Sequence, residues 1–429
     1  MKTSDPDALV GDPPTQEETA HLAARFGRLL LANGADASYA GASVRALAEG
    51  LGHEVSQLYT AEGVLVSAQS GAQAHVRLSH SIAGTRVDMG RLIALRGLVA
   101  PVPSDPARLD PAMDAIENGA EGHSPVLIAF GLAVTAGALA RLFAGSWSTV
   151  LVAGLVGAAS AMVRRQLAQR HVGAIPAAFL LACITGLIAV ILARFVPGSS
   201  SALCLTVAGM LLVPGVPLIN GVSELVVGHT GIGLSRVASG TIALLAIGCG
   251  VLLVSSLGGT PLRPDQAPGV LPIGQDLFYS AVAAAGYAML FEVPFRAVPI
   301  CVLCGMAGHG LRTELIINGM PLAVCSLAGA ILAGLVARAG AAFHGVPAVT
   351  FAFPGVVAMM PGSYGFRAAA GGLQVMDAAA ATPPALLALT LSLAITTVAV
   401  TLSIGIGLLI ATTTPLIPLR FHKDDAHGR

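Results

Sequence analysis

The sequence predicts an α-helical polytopic membrane protein: ten transmembrane helices arranged as two inverted five-helix repeats, preceded by a small α+β domain. Three observations predict it. First, 55% of the 429 residues are hydrophobic and only 11% are charged, where a soluble domain carries about a quarter charged residues. The mean hydropathy is +0.78. Second, charge is unevenly placed. Residues 1–123 hold 9 of the 23 Lys/Arg and 15 of the 23 Asp/Glu, a net −6, and the remaining 14 basic and 8 acidic residues make 124–429 net +6. A polar domain therefore precedes an apolar one. Third, the apolar part repeats itself in order, as set out below.

Residues 1–19 are acidic and Pro-rich, with no basic and apolar leader pattern, and are expected to be a disordered leader rather than a signal peptide. Residues 20–123 read as the α+β domain. Leu22, Phe26, Leu29 and Leu30 recur at helical spacing up to the stop signal Asn33-Gly34. A second helix is expected from Tyr39 to Leu51, closed by Gly52. Val55 to Tyr59, Val64 to Ala68 and His75 to Ser79 are short, β-favouring and separated by Glu62-Gly63 and Ser70-Gly71, so they predict a meander. Val87 to Val99 is again helical. Residues 101–106 form a turn-rich linker, and Pro111 to Asn118 fits one further helix.

Ten apolar spans follow, at about 125–142, 147–163, 173–193, 201–219, 237–257, 275–292, 295–311, 320–337, 346–361 and 384–411. Five fall in 124–258 and five in 274–415, with a tail at 416–429. Gly157 and Arg164 match Gly305 and Arg312. Pro176 and Arg194, at the two ends of the third span, match Pro321 and Arg338. Pro214-Gly215 is paired with Pro354-Gly355. The offsets are 148, 145 and 140. Five spans per copy, an odd number, turn the second copy upside down. Basic loop residues orient the chain. Arg164, Arg165, Arg170, Arg236, Arg296, Arg338, Arg420, Lys423 and Arg429 fall on the side of the N-terminal domain, against Arg141, Arg194, Arg263, Arg312 and Arg367 opposite. Nine against five puts both ends in the cytoplasm.

The residues that carry chemistry cluster at the interrupted spans. Proline removes a backbone donor and glycine tolerates unwinding. Within a membrane such a break persists only where protein or a water-filled cavity satisfies the freed groups. Paired breaks in two repeats point to a transporter's binding site. A helix restarting after Pro214-Gly215 or Pro354-Gly355 offers N–H groups and a positive dipole end to a carboxylate, and Pro361 and Gly362, at the end of the ninth span, are counted with the same substrate site. The same pairs also fit ordinary packing kinks. Asn220, Gly221, Glu224 and His229 follow the first break. Glu224 fits a proton or ammonium site, or a surface carboxylate; His229 fits a proton relay, or a loop residue. Arg312 can fork onto a substrate carboxylate or snorkel to the interface, and His309 beside it is a further proton-coupling candidate. Asp276 and Glu292 read as helix-end polar residues.

All six cysteines lie in apolar spans, which argues against a disulfide framework, and Cys301-x-x-Cys304 reads as two small apolar residues on one helix. No nucleophile elbow, phosphate loop or metal-ligand spacing occurs in the polar domain. No cofactor, metal or nucleic-acid partner is expected. A membrane-anchored enzyme would have to work without a recognisable cluster, and a passive channel without rings of pore charge.

The stretches Leu30-Leu31-Ala32-Asn33-Gly34-Ala35, Leu51-Gly52 and Thr60-Ala61-Glu62-Gly63-Val64-Leu65-Val66-Ser67 carry a resemblance. So do Val213-Pro214-Gly215-Val216-Pro217-Leu218-Ile219-Asn220-Gly221 with an acid at 224, Gly308-His309-Gly310-Leu311-Arg312, and Phe353-Pro354-Gly355 leading to Met360-Pro361-Gly362. Over residues 20 to 415 the chain resembles the threonine/serine exporter family. That resemblance implies a cytoplasmic domain joined to ten spans in a bacterial inner membrane. It also implies export of small hydrophilic amino acids by the proton motive force. Where the family pattern has two aspartates, this chain has Glu224 and His229. Related two-subunit versions are linked to dicarboxylates, so succinate-like substrates are the alternative. The expected partners are this substrate, protons and the bilayer, with a homo-oligomer compatible.

Overall fold

The computed structural model describes residues 14–60, 62–70, 73–80, 87–99, 106–119, 122–260, 262, 271–344 and 348–413. The 416–429 tail and most of the 101–106 linker lie outside them. α1 (Gln16–Ala32) begins at a capping box in which Thr15 Oγ1 accepts from Glu18 N–H and Glu18 bonds back to Thr15 N–H. Residues 16–19, expected in the leader, are therefore helical: the Thr-x-x-Glu signal starts the helix before its apolar face does. α1 ends at Asn33, where Gly34 takes a φ of +102°.

α2 (Ala37–Gly50) is capped by Asp36, whose carboxylate accepts from Tyr39 N–H at 2.7 Å. β1 (Val55–Tyr59), β2 (Gly63–Ser70) and β3 (Gln73–His80) form an antiparallel meander in the order β1-β2-β3, with Leu58 opposite Leu65 and Leu65 opposite Leu78. Strand alternation turns Val64, Val66 and Ala68 inward to the helices and leaves Leu58 and Leu78 exposed. α3 (Met89–Gly97) starts at the Asp88 cap, and α4 (Leu109–Asn118) completes the domain. Arg25 of α1 reaches Asp110, Asp114 and Glu117 of α4 at 2.6, 2.5 and 3.1 Å, and Arg28 reaches Glu117 at 2.8 Å.

The rest is helical. The first half holds α5 (Pro125–Leu142), α6 (Trp147–Gln169), α7 (Ala174–Phe195), α8 (Ser201–Met210), α9 (Gly215–Val226) and α10 (Thr230–Leu257). The second holds α11 (Ile273–Leu290), α12 (Val298–Ile317), α13 (Leu322–His344), α14 (Val349–Val356), a 3-10 turn at Val357–Met359, α15 (Gly362–Ala378) and α16 (Pro384–Thr413). Among the described residues, seven helices are long and apolar enough to cross a membrane: α5, α6, α7, α10, α12, α13 and α16. The bent pair α8–α9, broken by 50°, makes an eighth if counted as one span. Their outer faces carry exposed Leu151, Leu155, Leu187, Leu245 and Leu391, as a lipid-facing surface requires. Gly131 of α5 and Gly286 of α11 meet backbone to backbone, so that a Cβ on Gly286 would strike the Gly131 carbonyl. That crossing ties the two halves together.

Both halves run in one order: three unbroken helices, a broken segment, then a long helix. The breaks correct one pairing made on sequence. Helix restarts at Gly215 with Pro214 as its cap (φ −77°, ψ 66°) and at Gly362 with Pro361 as its cap (φ −80°, ψ 37°). Pro354 lies inside α14. The break that shares its form with Pro214-Gly215 is therefore the one at Pro361-Gly362, 147 positions on (214 to 361). Pro354 is a separate feature. Its missing N–H frees the Thr350 carbonyl four residues back, and Cys301 Sγ donates to that carbonyl at 3.7 Å. Two further boundaries moved. α9 continues to Val226 and α10 begins at Thr230, because Gly228 at φ +90° makes a tight elbow. α15 was not expected, since its first turns mix Ser363, Tyr364 and Arg367 into the apolar pattern.

Candidate functional site

The two breaks cross. A Cβ on Gly215 would lie 3.5 Å from Met360 Cγ, and one on Gly362 would lie 3.1 Å from Val213 Cγ2. Each restart thus packs on the turn of the opposite half. At the second restart, the N–H groups of Gly362, Ser363 and Tyr364 precede the first intrahelical bond, made by Gly365 to Pro361 O. The first restart offers less. Gly215 N–H bonds to Val213 O, Pro217 has no N–H, and Leu218 N–H bonds to Pro214 O. More N–H groups therefore precede the first intrahelical bond at the start of α15 than at the start of α9.

Arg312 lies beside this crossing. On α12, Gly305 receives Gly355, and Gly308 receives Met359, whose Cε would be 3.3 Å from a Cβ at 308. Arg312 is one turn further along. It is 9% exposed, its Nε has no hydrogen-bond partner among the described residues, and Tyr364, Asp276 and Cys325 act on it electrostatically. One turn before it, His309 Nδ1 sits 2.7 Å from Asp276 Oδ1, and Thr313 Oγ1 donates to Asp276 Oδ2 at 3.0 Å. Asp276, His309 and Thr313 are all buried. Asp276 is a residue that sequence reading passed over as a helix end. The signal was present: α11 and α12 form a hairpin turning at Glu292-Val293, which sets position 276 opposite 309.

Asn220 and Glu224 belong to a different place. They face the N-terminal domain. Asn220 Nδ2 donates to Gly34 O at 3.0 Å, Ala37 N–H donates to Glu224 Oε1 at 3.0 Å, and Arg236 Nη2 donates to Ala35 O at 3.0 Å. Arg236 Nη1 pairs with Glu224 Oε1 at 2.8 Å. The loop closing α1, with its Asn-Gly stop, is thereby held by three side chains of α9 and α10. Gly221 serves this arrangement by letting α10 approach: a Cβ there would be 3.0 Å from Gly233 O. A second attachment lies at the α11–α12 turn. Met89 N–H donates to Phe291 O at 2.9 Å, and His123 N–H donates to Glu292 Oε2 at 2.9 Å. His229 is exposed at the α9–α10 elbow, where it lines an interdomain pocket of about 310 Å³ with Arg45, Gln57 and Tyr59.

Of the residues singled out on sequence, Pro214, Gly215, Pro361, Gly362 and Arg312 converge, with His309 next to Arg312. Pro354 and Gly355 support that site from within α14. Asn220, Gly221, Glu224 and His229 sit at the domain interface. Cys301 and Cys304 are buried packing residues, and no group of three metal-ligating side chains occurs among the described residues.

A family model described as a putative threonine/serine exporter matches residues 21–258. A second, described as threonine/serine exporter, ThrE, matches residues 276–414. The chain belongs to the threonine/serine exporter family. With its array of apolar helices, it is a multi-pass membrane protein. No solved structure matches it. Threonine/serine exporter membership makes it a transporter rather than an enzyme.

Proposed function

We propose that this exporter moves serine- and threonine-sized amino acids out of the bacterial cytoplasm, across the inner membrane, by alternating access driven by protons. The observation that carries the reading is the crossing of two broken helices beside a buried Arg312. The substrate carboxylate would take the α15 N–H groups and the Arg312 fork, which together supply the donors an α-carboxylate needs. An unwound carbonyl on the facing break is a natural acceptor for the ammonium. The path would pass the small-residue face of α12.

The reading includes ten spans in two inverted repeats. The shared order of elements, the similar offsets of the two restarts (147) and of Gly157 and Gly305 (148), and the position of both Pro caps support it. α11 and the α14–α15 segment then supply the two spans beyond the eight that length and composition give. It also includes cytoplasmic termini, supported by the nine-to-five bias of basic loop residues. For proton coupling, the Asp276–His309 pair is the better-placed group, since it adjoins Arg312, while Glu224 is held at the domain interface as a gating residue. His229, at an exposed elbow, is given no coupling role.

The test is transport of labelled serine and threonine by the full chain in vesicles with an imposed pH gradient. Gradient-dependent accumulation of both, lost with a protonophore, supports the reading. Competition by succinate but not by threonine would replace it with dicarboxylate export. Equilibration without accumulation would replace it with a channel.

A further inference from the structure

The contact between the two domains encloses a cavity of about 80 Å³. That is well above the roughly 10–15 Å³ a cavity needs to hold a water, so it has room for a small polar group. Its walls come from α9 (Asn220, Ser223, Glu224), α14 (Phe353) and the end of α16 (Thr412). The N-terminal domain adds Asp36 and Ser38. Two carboxylates therefore meet at one small cavity, one from each domain. Asp36 uses one oxygen to cap α2, accepting from Tyr39 N–H. Glu224 is 1% exposed, and while its Oε1 takes Arg236 and Ala37 N–H, its Oε2 is buried with no hydrogen-bond partner among the described residues. A buried carboxylate oxygen without a donor costs free energy unless a donor arrives. An ammonium supplies three.

We propose that this cavity is an entry subsite for the substrate's ammonium group, and that Asp36 of the N-terminal domain is one of its binding residues. This rests on the export reading above. It assigns the N-terminal domain a direct part in transport: its Gly34–Ser38 loop is a wall of the path, present when docked and withdrawn when the domain releases. The cavity adjoins α9 five residues beyond Gly215 and carries Phe353, one residue before Pro354. A solute bound here waits one helical turn or more, about 7.5 Å of rise along α9, from the Gly215 restart.

The experiment uses the full chain in vesicles and compares wild type, Asp36→Asn and Glu49→Gln. Asparagine caps a helix as well as aspartate, so Asp36→Asn removes charge and leaves the α2 cap in place. Glu49 is an exposed acid on the same helix and controls for charge loss alone. We expect Asp36→Asn to raise KM for serine about tenfold with kcat within about twofold, the size expected for one lost charge-assisted hydrogen bond. We expect it also to lower the preference for serine over N-acetylserine, which has no ammonium. A merely structural role would not move that ratio. An unchanged KM and an unchanged ratio in Asp36→Asn, with wild type exporting serine, overturn the subsite and leave the export reading standing. No serine or threonine export by wild type overturns the export reading and the subsite with it.

Discussion

Gly355 lies so close to Cys304 that a Cβ on the glycine would come 2.6 Å from the cysteine's own Cβ and 2.9 Å from Gly305 N. Neither neighbour is the free end of a flexible side chain, so the helices must separate to accept any larger residue. We expect Gly355→Ala to destabilise the purified protein by about 1–3 kcal/mol, the usual cost of overpacking. Gly248→Ala, with nothing within 4 Å of its new Cβ, should stabilise by about 0.5–1 kcal/mol through helix propensity. Thermal unfolding in detergent reads both. Equal midpoints for the two variants would mean that α14 is not held against α12 in the way described.

Arg312 tests the substrate site. Lysine keeps the charge but not the planar fork, and methionine keeps only the stem. Loss of one charged hydrogen bond of about 1.5–3 kcal/mol corresponds to a roughly ten- to hundredfold loss of transport. We expect Arg312→Lys to lose that much and Arg312→Met to lose at least as much, with both eluting as wild type in size-exclusion chromatography. Full activity in Arg312→Lys would move the carboxylate site elsewhere.

Asp276 and His309 bear on coupling. Asp276→Asn keeps a hydrogen-bond acceptor for Thr313 and removes the charge facing His309 and Arg312. Thr313 donates to Asp276, and Asp276 acts on Arg312, which Tyr364 of α15 and Cys325 of α13 also influence. If the pair carries the proton, Asp276→Asn should exchange substrate across the bilayer while failing to accumulate it against a pH gradient. Gradient-driven accumulation at the wild-type level would remove the pair from the coupling step.

How much of this was legible beforehand differs by element. The meander was readable because β-branched residues alternate between turn signals, and the helix stop at Asn33-Gly34 because glycine there reaches φ +102°. The break at Pro361 was harder to read, because Pro354-Gly355 offers the same residue pair seven positions earlier. Pro354 distracted because a proline can sit inside a helix when a thiol such as that of Cys301 takes up the freed carbonyl. Asp276 needed the hairpin register to be seen opposite His309. The contact of Glu224 with the N-terminal domain was not legible at all. It joins residues 187 positions apart, and no local pattern in either segment announces the other.

Acid should loosen the N-terminal domain at α4. Burial raises the Glu117 carboxyl, but Arg28 and Arg25 outweigh it and hold the group below its ordinary value of 4.5. A group whose folded pKa is depressed contributes stability that is full above the unfolded value and is lost as pH falls through the folded one. The Glu117 contribution is therefore constant near neutral pH and fades below about 4.5. We expect hydrogen exchange of α4 amides, corrected for intrinsic rate, to rise as pH drops from 6 to 3.5. In Glu117→Gln it should already be raised at pH 6 and should change less on acidification. Identical profiles would mean that the Arg25–Arg28 cluster does not hold α4 on α1.

The amide of Ala37 reports on docking directly, because its acceptor is Glu224 of the other domain. Asn220 holds the same loop through Gly34 O, three residues earlier. Asn220→Ala leaves that buried carbonyl without its donor, at a cost of about 1–3 kcal/mol, while Glu224 and its partner Arg236 are untouched. If the Ala37 amide exchanges only when the domain releases, that cost appears as faster exchange at Ala37, by about five- to hundredfold. Amides in the middle of β2, which pair within the N-terminal domain, should keep their wild-type rates. A rise in both would mean that Asn220→Ala unfolds the domain rather than undocking it. No rise at Ala37 would mean that the loop is held by Glu224 and Arg236 alone, with Asn220 adding nothing to the seal.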